Sequence, residues 1–362
     1  MTLFKIFIPE DEFPKSFLPK VVNVKNEIFI TKNILEADFI LLPHWETLYE
    51  YSDEQYKDHG INPNNRKSII ETTTSLIERS KQHNKKLIVF FWSDSDESIP
   101  LENAIIFRTS INKSTQASNV ISMPSWQSDL YEEISSNESL YQPKTEIPKV
   151  GFRGSSRPLS LNIEDLIRTG ITQFNKMMAS TPINKSLPYE WNVGQEIRRK
   201  AMLKLKENQR INSDFYVLTR GYLKRSDSES RRLNRQRFVE SIFNNQYTLC
   251  VRGMGNYSYR LFETISAGRI PLFINTDCSL PLDFIIDWKK YMVWVEASDV
   301  NYIDEILLDF HSKHNSEEFI NLQKKIRSLW DEYLKPTAYF NHMGKMLQKA
   351  MFNQSTNFNT VI

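Results

Sequence analysis

One stretch, Tyr247 to Trp288, limits what this chain can fold into more than any other. It reads YTLCVRGMGNYSYRLFETISAGRIPLFINTDCSLPLDFIIDW. An apolar run, Tyr247 to Val251, breaks at Arg252-Gly253-Met254-Gly255. A helical pattern opens near Ser258 and ends at Gly268, and a second apolar run follows from Ile270 to Ile274. That order predicts a strand, turn, helix and strand, the repeating unit of a parallel sheet.

The residue types in the turn and first helical turns point to an anionic guest. Gly253 and Gly255 allow positive φ or close approach of a ligand to the backbone, and the unpaired N–H groups of a helix opening at Ser258 favour negative charge. On a helical projection Leu261, Phe262, Ile265 and Gly268 share one side, and Arg260, Glu263, Thr264 and Ala267 share the other. Arg260 and Glu263 are then neighbours. A guanidinium forks onto phosphate oxygens, and a carboxylate beside it accepts hydrogen bonds from a ribose diol. A surface Arg/Glu ion pair on an ordinary crossover helix is the alternative.

The rest of the chain repeats the pattern. Leu3 to Ile8, Glu27 to Ile30, Asp38 to Leu42, Lys86 to Phe91 and Ala104 to Phe107 are short unbroken apolar runs, which suit strands buried on both faces. Lys67 to Gln82 reads as a helix with Ile69, Ile70, Thr73, Leu76 and Ile77 on one side. Beyond it come further strand patterns at Lys149 to Gly154, Phe215 to Gly221 and Tyr291 to Glu296, with helices around Glu196 to Lys206 and ending Arg237 to Phe243. Helices follow through Ile303 to Phe310, Glu317 to Tyr333 and Ala338 to Met351. A polar, proline-bearing stretch from Tyr141 to Lys149 marks the boundary. It gives domains over 1–145 and 146–335, then a C-terminal helix and frayed tail over 336–362. With 362 residues, 40% hydrophobic and 12% aromatic, the chain can fill two cores.

Composition also excludes. Lys and Arg number 46 against 44 Asp and Glu, a net charge of +2, so nothing points to nucleic acid. No apolar run is long enough to span a membrane, and Met1 to Pro9 is too brief for a signal peptide. Cys250 and Cys278 have no ligand-like spacing and read as reduced core residues of a cytoplasmic protein. His311 and His314 read as a solvated helix face rather than a metal site.

Two doubly wound α/β domains leave a cleft, and such sheets bind ligands at the carboxyl ends of their strands. Arginines recur there: Arg153 after Lys149 to Phe152, Arg220 after Phe215 to Thr219, and Arg252 after Tyr247 to Val251. Three in successive units of one domain would converge on one anion, unless each is neutralised in a structural network.

The organising stretch resembles the exostosin-type glycosyltransferases, which include heparan sulfate polymerases and plant cell-wall transferases. That family reads Phe-Cys-Leu leading into Arg-Gly, then Ser-x-Arg-Leu-x-Glu, Ala-Gly-x-Ile-Pro, an Asp, Leu-Pro and Asp-Trp. Here the elements stand as Leu249-Cys250-Val251-Arg252-Gly253, Ser258-Tyr259-Arg260-Leu261-Phe262-Glu263, Ala267-Gly268-Arg269-Ile270-Pro271, Asp277, Leu280-Pro281 and Asp287-Trp288. Weaker echoes are Ala37 to Pro43 and Gly151-Phe152-Arg153-Gly154. Arg269 stands where the family commonly has Cys, a change expected to be structural. The family's eukaryotic members carry an N-terminal membrane anchor, which this chain is expected to lack.

The resemblance implies two facing Rossmann-like domains, the GT-B arrangement, and transfer of a sugar from a nucleotide sugar with inversion and without a bound metal. It assigns Arg252, Arg260 and Glu263 to the donor site, Arg for diphosphate and Glu for ribose, with Arg153 beside them. The expected donor is a UDP-sugar. The expected acceptor is a glycan hydroxyl, in a cytoplasmic bacterial setting a surface polysaccharide or lipid-linked oligosaccharide, with peripheral membrane association through such an acceptor. Inversion needs a general base from the first domain. The candidates are Asp94, then Asp96 and Glu46, with His44 nearby. Asp94-Ser95-Asp96 could instead hold a divalent cation. Trp45, Trp92 and Trp126 could stack on a sugar face or close a core. The competing functions are a nucleotide-sugar epimerase or phosphorylase, and an inactive scaffold that partners an active transferase.

Overall fold

A computed structural model describes residues 4–8, 28–43, 63–95, 98–101, 103–133, 141–159, 189–218 and 227–357. The chain forms two compact α/β units. One comprises Met1–Pro124, Ser279–Leu282 and Glu332–Ile362; the other comprises Ser125–Cys278 and Asp283–Asp331.

The first unit is a parallel six-stranded sheet, in the order β2-β1-β3-β4-β5-β6. Its strands are β1 (Phe4–Phe7), β2 (Ile28–Thr31), β3 (Phe39–Leu42), β4 (Lys86–Phe91), β5 (Ala104–Arg108) and β6 (Val120–Ser122). Every residue of β3 and β5 is buried. This is what an unbroken apolar run dictates when helices cover both faces of a sheet. Helix α1 (Arg66–Gln82) is the crossover from β3 to β4 and buries Thr73, Leu76 and Ser80, a narrower stripe than the sequence predicts. Leu76 packs with Ile40, Leu42, Leu87, Val89, Phe91 and Ile106. Strand β6 has only three residues and no periodicity to betray it.

The second unit is a five-stranded parallel sheet, in the order β11-β10-β9-β7-β8. Its strands are β7 (Lys149–Ser155), β8 (Asn212–Leu218), β9 (Tyr247–Cys250), β10 (Ile270–Asn275) and β11 (Val293–Glu296). After α2 (Leu130–Glu133) its helices are α3 (Tyr189–Glu207), α4 (Ser228–Phe243), α5 (Tyr259–Ser266), α6 (Ile303–Ser312) and α7 (Ser316–Leu329). An Asn315–Glu318 capping box opens α7. Strand β8 lies on one side of β7 and the next strand, β9, on the other. The winding therefore reverses between β7 and β9, where open α/β sheets bind ligands.

The contact boundary differs from the expected one. The division falls after Pro124, because the stretch that looks like a linker is laid onto the second sheet. Leu130 packs with Val239, Ile242, Phe243 and Ala267. Gln246 donates from Nε2 to the Pro143 carbonyl at 2.6 Å and accepts at Oε1 from the Lys149 N–H at 3.2 Å. At the other end, α8 (Pro336–Phe340) and α9 (Met343–Asn357) belong to the first unit rather than standing apart. The Tyr339 hydroxyl donates to the Ser122 carbonyl at 2.8 Å, and Phe340 lies edge-on to Phe90 at 5.8 Å. Helix α9 runs to Asn357, well into the tail predicted to fray.

Candidate functional site

The switch point of the second sheet is an arginine cluster built by the ends of β7 and β9 and by helices α3 and α5. After β9 the chain closes on itself: the Gly253 N–H donates to the Tyr257 carbonyl at 3.0 Å, and the Tyr257 N–H to the Gly255 carbonyl at 2.9 Å. Neither glycine has positive φ; of the described glycines only Gly268 does, at 64°. What Gly253 provides is room. A Cβ there would meet nothing nearer than the Arg198 Nη2 at 4.0 Å.

The guanidinium groups make this region basic. Arg260 donates from Nη2 to the Arg153 carbonyl at 2.6 Å, and its guanidinium lies 4.2 Å from the Phe152 ring centre. Gly154 makes way for it, since a Cβ there would stand 2.5 Å from that Nη2. Arg153 rests on the Tyr216 ring at 4.0 Å and reaches Asn234 Oδ1 at 3.4 Å. Arg252 is buried and donates to the Met254 carbonyl at 3.0 Å. Ser258 is the N-cap of α5 and makes no capping bond with its side chain.

A fourth arginine in the cluster, Arg198 of α3, holds the strand ends together. It donates from Nη1 to the Ser155 carbonyl at 2.8 Å, and from Nη2 to the carbonyls of Arg252 at 2.6 Å and Val251 at 3.3 Å. Burial, then the neighbouring charge of Arg260, pulls Arg198 down to about 9. Burial also lowers Arg260. Both remain protonated at neutral pH, so the shifts measure how unfavourable it is to hold two cations there. Among the described residues, Arg153, Arg198 and Arg260 form no ion pair with a carboxylate.

Glu263 lies on the same helix but does not pair with Arg260. It is 4% exposed, so the pair is not a surface one. Its Oε1 accepts from Nη1 of Arg235, on α4, at 2.5 Å. Arg235 also donates from Nε and Nη2 to Glu133 at 3.2 and 2.8 Å, and from Nη2 to the Ser128 hydroxyl at 3.0 Å. Burial pushes Glu133 upward, but the hydrogen bonds from Arg235 and Ser128 outweigh it and hold the carboxyl below its ordinary value.

The structure thus brings together Arg153, Arg252, Gly253, Ser258, Arg260 and Glu263 within one unit. Arg220, Asp96, Glu46, His44 and Trp45 lie outside the described residues. Asp94 is exposed in the loop after β4, in the first unit. That loop is held by the Arg108 Nη2, which donates to the Ser95 carbonyl at 2.5 Å, and by the Thr109 hydroxyl, which donates to the Ser93 carbonyl at 3.0 Å. Trp126 is buried and serves the core, while Trp92 is half-buried.

Sequence reasoning missed Arg198 and Arg235. For Arg198 a signal existed: Gly194 interrupts a helical pattern, and Arg198 stands one turn later on the same face. A Cβ on Gly194 would lie 2.7 Å from the Gly253 carbonyl oxygen and 2.8 Å from that of Arg252, so the glycine lets α3 press against the turn. Three other readings change or hold. His311 is buried, not solvated: Tyr247 Oη and the Thr145 carbonyl lie 2.8 Å from its Nδ1 and Nε2. A carbonyl only accepts, so Nε2 carries the proton and Nδ1 accepts from the tyrosine. Neither Cys250 nor Cys278 is in a disulfide, both are buried, and burial pushes the Cys250 thiol up to about 12. Arg269 is wholly buried and donates from Nη2 to the Phe243 carbonyl, the end of α4, at 3.0 Å, a structural post as expected.

Residues 161–310 match the family model described as the Exostosin GT47 domain. That span contains all of Tyr247–Trp288 and neither of the upstream echoes. The chain is 26% identical to the Exostosin-1 homolog of Caenorhabditis elegans over 40% of this chain and 36% of that protein. It is 26% identical to Exostosin-1 of Drosophila melanogaster over 30% and 14%, respectively. With the Probable glucuronosyltransferase 47 A of Physcomitrium patens the identity is 37%, over 22% of this chain and 16% of that one. The chain thus spans well under half the length of each of these relatives. The solved structure of S. aureus TarM with fondaparinux, α-GlcNAc-glycerol and UDP covers 92% of this chain and 53% of its own at 13% identity. Its TM-score of 0.32 is too slight a likeness to bear on the site. The ordered motif from Leu249 to Trp288, on the elements that carry the arginine cluster, thus lies within a span, residues 161–310, that is similar to the exostosin-type, GT47, glycosyltransferase domain.

Proposed function

We propose that the chain is a glycosyltransferase whose second unit binds the nucleoside diphosphate of a UDP-sugar. The sugar passes with inversion, and without a metal, to a hydroxyl of a growing glycan. The observation that carries this reading is the pair Arg198 and Arg260. Both are half-buried at the switch point and, among the described residues, hydrogen-bond only to main-chain carbonyls. Cations partly withdrawn from water without a carboxylate are costly, and a diphosphate offsets that cost. Arg153, Arg252 and the N-terminus of α5 add donors on the same side.

In the reaction these groups stabilise the charge that develops on the departing diphosphate, and being fixed beforehand they need no reorganisation. Glu263 accepts from the ribose hydroxyls. A first-unit carboxylate takes the proton from the acceptor hydroxyl, with Asp94 first, then Asp96 and Glu46. The relative named Probable glucuronosyltransferase 47 A makes UDP-glucuronate the first donor to test. We place the enzyme in the cytoplasm, acting on a surface-polysaccharide or lipid-linked precursor. No helix among the described residues is long and apolar enough to cross a membrane.

The test is release of UDP from a panel of UDP-sugars, with and without oligosaccharide acceptors. Acceptor-dependent release that disappears in Arg260→Ala supports the proposal. An epimerase or phosphorylase would turn over its nucleotide sugar without any acceptor hydroxyl, and that outcome overturns it.

A further inference from the structure

We infer that Arg235 is a positioning residue that fixes Glu263 for recognition of the ribose diol, so that it sets the preference for ribonucleotides over deoxyribonucleotides. The inference rests on the nucleotide reading above and adds to it the residue that aims the carboxylate.

Three contacts define the device. Glu263 is almost wholly buried on α5, and Arg235 Nη1 occupies its Oε1 at 2.5 Å. Arg235 is itself held from behind: Glu133 takes Nε and Nη2 in a fork at 3.2 and 2.8 Å, and Ser128 takes Nη2 at 3.0 Å. A planar guanidinium with three nitrogens engaged cannot turn, so the carboxylate bound to it cannot turn either. An ionised carboxylate has acceptor sites on both oxygens. With Oε1 committed to Arg235, Oε2 remains to accept from a sugar hydroxyl. Such a fixed acceptor discriminates strongly, because a ligand lacking the hydroxyl leaves it unpaired.

The segment behind Arg235 is anchored as well. Asp129 accepts from Arg327 Nη1 and Nη2 at 2.7 and 2.9 Å and from Trp330 Nε1 at 2.8 Å. The Leu130 N–H donates to the Ser266 hydroxyl, at the far end of α5, at 3.1 Å. Helix α2 is thereby pinned to α5 at Ser266 and, through Glu133 and Arg235, at Glu263.

The experiment measures Kd by calorimetry for UDP, 2′-deoxy-UDP, 3′-deoxy-UDP and pyrophosphate. It uses the full chain and the variants Arg235→Ala, Arg235→Lys and Glu133→Gln. The wild type should favour UDP over at least one deoxy analogue by about tenfold or more. Arg235→Ala should bring that ratio towards one with pyrophosphate affinity unchanged, and Glu133→Gln should move it the same way. If Arg235→Ala does not fold, the other two variants decide. A ratio unchanged in the folded variants overturns the inference. So does a parallel loss for all four ligands, which would make Arg235 merely structural. A wild type that binds UDP and its deoxy analogues equally removes this inference alone. One that binds neither UDP nor pyrophosphate removes the nucleotide reading and this inference with it.

Discussion

At Gly194 the choice between a hydrogen and a methyl group decides whether α3 can reach the turn after β9. Alanine would gain up to about 1 kcal/mol in helix propensity. Its Cβ, however, would lie 2.7 and 2.8 Å from two carbonyl oxygens, and those are backbone atoms that cannot swing away. Overpacking of this kind costs about 1–3 kcal/mol, so Gly194→Ala should be net destabilising in urea unfolding. Because the displaced atoms are those of Arg252 and Gly253, it should also weaken UDP binding. His311 gives a pH prediction. Burial, the largest influence, lowers its pKa below the ordinary 6.5. A histidine held neutral in the fold contributes stability that is present above 6.5 and lost as the pH falls towards the folded value, because the unfolded chain then binds the extra proton. Melting temperature should therefore drop as pH falls below 6.5, and His311→Gln should flatten that part of the curve. At this scale the motif residues were legible, since Arg252, Arg260 and Glu263 lie within one turn and one helix. Arg235 was not, because its partner lies 28 residues away and nothing in local spacing encodes such a meeting, and Arg198, whose partner lies 54 residues away, was marked only by Gly194 one turn before it.

Among elements, a polar lock between Asp129, just before α2, and α7 joins parts of the second unit distant in sequence. The side chains of Asp129 and Arg327 are each 13% exposed and meet in a bidentate pair, with Trp330 as a third donor. Asp129→Ala leaves Arg327 with Asp331, at 3.0 and 3.1 Å, as its remaining carboxylate and takes the acceptor from Trp330 Nε1, so it should cost about 1–3 kcal/mol in equilibrium unfolding. No measurable loss would mean that Asp331 and water satisfy these donors by themselves. Strands were the most legible elements, because runs such as Lys86–Phe91 and Ala104–Phe107 have no polar alternation. Strand β6 escaped because three residues carry no period. The boundary near Pro143 misled for a physical reason: a polar, proline-bearing stretch resembles a linker even when glutamine side chains fasten it to a sheet. Gln246 does so here, and Gln323 with it, donating to the Gln142 carbonyl at 2.7 Å.

For the whole molecule, two parallel α/β sheets follow from the alternation of apolar runs and helical periods. That the chain returns after Glu332 to complete the first unit does not, because that return depends on tertiary contacts of Tyr339 and Phe340. If the arginines alone neutralise the diphosphate, activity in excess chelator should equal activity without it, and a loss restored by added Mg2+ or Mn2+ would return the metal to the account. The anomeric configuration of the first-formed product, followed by proton NMR, should be opposite to that of the donor sugar. The central claim is that the switch point of the second sheet binds a nucleoside diphosphate through its arginine cluster. Calorimetric titration of UDP into the wild type and Arg260→Ala, with folding of the variant checked by circular dichroism, tests it most directly. One charge-assisted contact contributes about 1.5–3 kcal/mol, so saturable binding by the wild type should weaken roughly 10- to 100-fold in the variant. Equal affinity in the two proteins, or no binding by the wild type, would contradict the claim.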